Sequence, residues 1–133
     1  MIDRKNPEKR ASAEGRSPCP VACSLDLLGD KWTLLVVRDL LLGKTTYTEF
    51  QKSPEGIPTN ILAERLKRLQ VAGIIEKSQY HERPKRYAYH LTEKGNDLQL
   101  VLSAMIDWGN KYIPGTVPRE QIEAMVRQLS EDR

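Results

Sequence analysis

Two helical stretches joined by a tight break run directly into a β-hairpin pattern between Thr48 and Leu91, and this order limits the possible folds more than any other feature of the chain. Thr48 is suited to cap a short helix over Glu49–Lys52 with Phe50 turned inward, and Ser53-Pro54-Glu55-Gly56 ends that helix. Pro58-Thr59 opens the next helix, with Thr59 as its cap. It runs to about Ala72 and stops at Gly73. Ile74–Tyr80 then reads as a strand and His81–Lys85 as a charged loop stiffened by Pro84. Arg86–Leu91 alternates as a second strand, with Tyr87, Tyr89 and Leu91 on one face.

Two short helices with such a break form a helix-turn-helix, and a hairpin directly after the second helix is a wing. The flanking segments supply a base. Ser24 is placed to cap a short helix carrying Leu25, Leu27 and Leu28, which Gly29 interrupts. Asp30 is a suitable N-cap for a helix over Lys31–Leu42, where Trp32, Leu35, Val36 and Leu40 fall at helical spacing and Gly43 closes the end. Thr92 caps a long helix bearing Leu98, Val101, Leu102, Met105, Ile106 and Trp108 that ends near Pro114. Pro118 opens a last helix with an apolar stripe of Ile122, Met125, Val126 and Leu129. The expected class is therefore mainly α with a small β-hairpin: a winged helix-turn-helix plus dimerisation helices. Residues 1–18 are expected to be a mobile polar tail, 19–112 the winged helix with its dimerisation helix, and 113–133 a C-terminal helix adding to the dimer interface.

Charge is distributed unevenly. Lys44–Thr92 holds nine Lys or Arg against five Asp or Glu, whereas Glu93–Arg133 holds five against seven. A cationic middle suits a polyanionic partner, with another task for the C-terminal part. On the second helix of the motif, Leu62, Leu66 and Leu69 form the buried face at about 100° per residue. Asn60, Glu64 and Lys67 lie opposite, flanked by Ala63 and Arg68. Asn pairs bidentately with adenine, Arg or Lys pairs with guanine, and a small Ala admits the groove or a thymine methyl. A solvated amphipathic face would look similar. The wing tilts the balance, because Arg83, Lys85 and Arg86 crowd a hairpin tip suited to phosphate or an adjacent minor groove.

At this point the sequence resembles the HxlR-type winged-helix transcriptional regulators, relatives of the MarR group. The resemblance rests on Cys19-Pro20-Val21, Leu28-Gly29-Asp30-Lys31-Trp32, Tyr47-Thr48-Glu49-Phe50 and the run Gly56–Leu69. It continues through Ala72-Gly73-Ile74-Ile75 and Pro84–Gly95. It implies a homodimer on a palindromic or near-palindromic operator in double-stranded DNA, with repression as the expected mode. The helix after Thr92 and the N-terminal helix would build the dimer, giving Leu98, Val101, Leu102, Met105, Ile106, Met125 and Leu129 as interface residues. Lys31 matches a family lysine at a helix start, where it would meet phosphate. The DNA-facing set is then Lys31, Thr59, Asn60, Ala63, Lys67, Arg68, Arg83, Lys85 and Arg86. Asp30 departs from the family's frequent second glycine.

Some members of that family sense oxidants, electrophiles, quinones or aldehydes through a cysteine matching Cys19, so Cys19 and Cys23 are redox-sensing candidates. A reactive thiol needs exposure and a lowered pKa, while a small packed cysteine is the commoner fate. A small-molecule effector held between the domain and the dimer helix is also compatible with this architecture. No cofactor or metal is expected, since two cysteines without a partner set do not make a zinc site. No Gly-rich phosphate loop and no nucleophile with a plausible base suggest an enzyme. The rival reading is a winged helix that binds protein and not DNA. The first residues lack the apolar stretch of a secretory signal, no run approaches the ~20 apolar residues of a membrane span, and the cytoplasm is the expected location.

Overall fold

The computed structural model describes residues 16–132. Among the described residues seven helices and one hairpin follow in the order α1 (Pro20–Leu28), α2 (Thr33–Leu41), α3 (Tyr47–Gln51), α4 (Thr59–Val71), β1 (Ile75–Glu82), β2 (Lys85–Leu91), α5 (Glu93–Asn96), α6 (Gln99–Tyr112) and α7 (Arg119–Glu131). The architecture is the expected one, a winged helix-turn-helix with additional helices. Its core joins Leu27, Val36, Val37, Leu40, Phe50, Leu62, Leu66, Leu69, Ile74 and Ile75, with Tyr89, Leu91, Leu98 and Leu102 packed against it. Burial of such a cluster supplies the main drive for folding.

Several boundaries differ from the sequence expectation, each for a local reason. The first helix starts at Pro20 and not after Ser24, because Pro at the first helical position needs no N–H partner. Thr46 and not Thr48 caps α3. Its hydroxyl accepts from the Glu49 backbone N–H while the Glu49 carboxylate receives the Thr46 N–H, a reciprocal capping box. Pro58 occupies the cap position of α4, so Thr59 is its first helical residue. The helix ends where Gly73 takes φ +75°, a conformation that favours glycine.

The hairpin is longer than expected. Glu82 pairs with Lys85 and His81 with Arg86, so Arg83-Pro84 alone forms the turn and most of the expected loop is strand. An irregularity between Gln79 and His81 marks the one break in register. Tyr89 N–H donates to the Thr45 carbonyl at 2.8 Å, which fastens the wing to the segment before α3.

The expected long helix after Thr92 is two helices. Thr92 does cap α5, accepting from Gly95 N–H, but the chain turns at Asp97-Leu98 before α6 begins. α7 starts behind Pro118 as expected and is tied to α6: Arg119 donates to Asp107 Oδ1 at 2.7 Å and to the Ser103 carbonyl at 2.7 Å. Residues 1–15 of the expected tail lie outside the described residues. Arg16, within the same expected tail, is engaged with α1, donating to Asp26 Oδ1 at 2.9 Å and to the Ala22 carbonyl at 3.2 Å.

Candidate nucleic-acid interface

α4 stands between the core and solvent, with Leu62, Leu66 and Leu69 buried beneath it. Its outer face presents Thr59, Asn60, Ala63, Glu64 and Lys67, all exposed. The helix is fastened at its start by Tyr47 on α3, whose hydroxyl donates to the Thr59 carbonyl at 2.7 Å. Glu64 is drawn sideways into an ion pair with Arg65, which leaves a hydroxyl, an amide, a methyl and an ammonium as the free chemistry of the face.

Arg68 is not part of that face, which corrects the sequence expectation. It is 9% exposed and turns under the helix, donating to the Leu27 carbonyl at 2.9 Å and to Asp30 Oδ2 at 2.9 Å. The helical angle placed Arg68 only at the flank of the exposed face. A long, flexible guanidinium there can reach inward once an acceptor is available, and Asp30 is that acceptor. α2 starts at Thr33 and not at Lys31, with Trp32 and not Asp30 in the N-cap position, yet Asp30 still receives the Trp32 and Thr33 N–H groups at 2.8 and 3.0 Å from the turn before the helix. Burial by itself would raise its pKa. The hydrogen bonds from Thr33, Trp32 and Arg65 outweigh that and hold the carboxyl well below the usual carboxylate range.

The wing tip carries Arg83, Lys85 and Arg86, all exposed and without an ion pair among the described residues. Further down the hairpin, Lys77 Nζ lies 4.1 Å from the centre of the Tyr87 ring, which steadies the outer surface of the wing. Lys31 is exposed in the turn before α2 with its Nζ 4.9 Å from the Trp32 ring. Its neighbour Asp30 faces inward to the two arginines, so the acid does not offset Lys31 outward.

Cys19 occupies the N-cap position of α1 and is exposed, whereas Cys23 is half-buried with its thiol donating to the Ser17 carbonyl at 3.0 Å. The Ala22 and Val21 N–H groups lower the Cys19 pKa, desolvation opposes them, and nearby Arg16 adds a lesser lowering.

The expected interface residues divide. Val101 and Met105 are exposed on α6, and Met125 and Leu129 are exposed on α7. Leu98 and Leu102 instead pack against the chain's own core, because the break at Asp97-Leu98 sets a new phase for α6, and Ile106 is half-buried. Sequence reasoning missed Leu100, which is 78% exposed, and Val21 and Leu25 on the outer side of α1. Leu100, Val101, Ala104, Met105, Trp108 and Ile113 line an open groove of about 730 Å³. Helical spacing from Val101 through Met105 to Trp108 was the available signal, but the phase could be fixed only once the start of α6 was known.

A model of the HxlR-like helix-turn-helix domain matches residues 27–117. The chain belongs to the HxlR-like helix-turn-helix family. The uncharacterized HTH-type transcriptional regulator YdeP of Bacillus subtilis is 36% identical over 101 residues, which cover 76% of this chain and 79% of that protein. The HTH-type regulator Rv3095 of Mycobacterium tuberculosis is 35% identical over 101 residues, and the chain spans only 61% of its length. Among solved structures, the oxidized form of the redox regulator HypR superposes with a TM-score of 0.64 at 32% identity, covering 70% of this chain and 96% of HypR. The reduced form of the transcriptional regulator YodB from B. subtilis gives 0.62 at 33% identity, covering 74% and 98%. The relatives that share this HxlR-like helix-turn-helix domain are named transcriptional regulators of the helix-turn-helix type. Among its described residues no helix is long and apolar enough to cross a membrane.

Proposed function

We propose that this HxlR-like protein is a homodimer that binds double-stranded DNA sequence-specifically and represses transcription. α4 enters the major groove and the wing grips the flanking backbone. The observation that carries this reading is the pairing of a free Asn60/Ala63/Lys67 face on α4 with three unpaired cations on the adjoining hairpin. A solvated helix face accounts for the first feature alone but not for both on one structural unit. Asn60 and Lys67 read base edges, Thr59 and Lys31 meet phosphate, and Arg68 is released from the readout.

The test begins with duplexes that the protein enriches from a random-sequence pool. Asn60→Ala and Lys67→Ala are each expected to lose about 1–3 kcal/mol of discrimination at one base-pair position while leaving affinity for unselected duplex nearly unchanged. Equal loss on all sequences would assign these residues to backbone contact. A wild type that enriches no sequence would favour the protein-binding alternative.

Two subunits are needed for a near-palindromic site, with their α4 helices about 34 Å apart. The exposed apolar residues of α1, α6 and α7 support assembly, above all those of α6 that line one groove, since clustered apolar surface marks an interface. Light scattering at micromolar concentration is expected to give twice the 15.2 kDa chain mass, and a monomer would exclude the dimer.

Cys19 is the point through which oxidants or electrophiles act on this regulator. Its exposure and lowered pKa support this, and so does the likeness to the redox regulator HypR. Cys23 lies one turn along the same helix, which disfavours an intrachain bond. Diamide would instead be reduced as two Cys19 thiols, one from each subunit, give up two protons and two electrons to form one disulfide. Diamide is expected to abolish duplex binding by wild type and to leave Cys19→Ser binding intact. Equal loss in both proteins would remove Cys19 from the response.

A further inference from the structure

Three helices meet at one polar joint on the inner side of α4. α1 contributes the Leu27 carbonyl from its last turn, where helix carbonyls lack partners within the helix. The α1–α2 corner contributes Asp30, and α2 contributes the Thr33 hydroxyl, which donates to Asp30 and lies 3.3 Å from Arg68 Nη2. α4 contributes both Arg65, with Nε 3.1 Å from Asp30 Oδ1, and Arg68, with Nη2 2.9 Å from Asp30 Oδ2. All of these groups are buried or half-buried.

We infer that Asp30, through Arg65 and Arg68, is the positioning residue that fixes the roll and axial setting of α4 toward DNA. This inference rests on the DNA-binding reading above. The leucines beneath α4 hold it by apolar contact, which has no preferred direction. Charge-assisted hydrogen bonds do have one. Arg65 and Arg68 lie three residues apart, so they grip one carboxylate from successive points along the helix and resist both sliding and rotation. The grip matters because side-chain tips stand about 5–6 Å from a helix axis. A roll of roughly 20° therefore displaces Asn60 or Lys67 by about 2 Å, enough to break a base-edge hydrogen bond. Phosphate contacts from the wing depend less on this roll, because β2 has its own tie to the segment before α3 through Tyr89 and Thr45.

The experiment compares affinity for a duplex enriched by wild type with affinity for a random duplex, under one salt condition. Asp30→Asn retains a capping side chain for α2 and removes the charge. Arg68→Met retains the length and removes the donors. Each is expected to reduce the ratio of selected to random affinity by about tenfold. The double variant is expected to lose no more than either single variant, because both act through one joint. Arg65→Gln, at the more exposed side of the cluster, serves where the central variants do not fold by circular dichroism, and it is expected to lower the same ratio. An unchanged ratio in folded variants would overturn the inference and leave the DNA reading standing. A fall in both affinities by the same factor would also overturn it, since that marks lost structure and not lost placement. A wild type that binds no duplex would overturn the DNA reading and the inference with it.

Discussion

Alanine at Arg83, Lys85 and Arg86 together is expected to weaken binding to every duplex by the same factor, selected and random alike. All three cations are exposed, Arg83 in the two-residue turn and Lys85 and Arg86 at the start of β2, and free of ion pairs among the described residues. Nothing within the fold depends on them, so the variant should fold and melt as wild type does. In a dimer, six cations would be lost. Each phosphate contact contributes about 0.9 to the slope of log affinity against log salt, so the slope should shrink by roughly five units. Between about 50 and about 200 mM salt, wild type would then lose roughly a thousandfold more affinity than the variant. Titrations at several salt concentrations read this directly. An unchanged slope would place the wing away from the backbone. A change confined to the selected duplex would make it a reader of sequence.

The second large effect concerns stability. Gly95→Ala is expected to destabilise the fold by about 3 kcal/mol, the upper part of the range for forcing atoms into a packed site. A Cβ at this position would lie 2.2 Å from the Ile74 carbonyl oxygen and 2.8 Å from Leu91 Cδ2. The leucine could turn away, but the carbonyl has no such freedom. It accepts from the Thr92 N–H at 3.0 Å and from the Thr92 hydroxyl at 3.1 Å, bonds that join the root of the hairpin to α5. For a chain of this length, 3 kcal/mol corresponds to a fall in melting temperature on the order of 10 °C. Thermal unfolding followed by circular dichroism measures it, and a shift within about 2 °C would show that the root relaxes freely.

The parts of this architecture that were legible in the sequence are those set by periodicity and by glycine or proline. The leucines of α4, the stop at Gly73, the proline before α7 and the inward Phe50 all follow from local rules. What was not legible depends on partners distant in sequence. Nothing near Arg68 predicts that it will turn inward, because its acceptors, Leu27 and Asp30, lie 41 and 38 residues away. The capping residue of α3 was misplaced because Thr45, Thr46 and Thr48 all suit the position locally, and only the reciprocal bond to Glu49 selects Thr46. The phase of α6 depended on where α5 would stop. For the candidate site, the exposed set of α4 and the cations of the wing were visible as a pattern, but the joint that holds them in place was not.

The two sides of α6 carry a consequence for the cell. Leu98 and Leu102 help to close the core of their own chain, while Leu100, Met105 and Trp108 stand outside it. If a second subunit covers that outer side, folding and assembly become one equilibrium, and mass action enters the melting temperature. Dilution then acts as a mild denaturant. A cell that makes few copies would hold a larger share of them open to proteases, and one that makes more would protect each copy already present. Occupancy of the operator would rise faster than in proportion to synthesis, giving a threshold that originates in one helix.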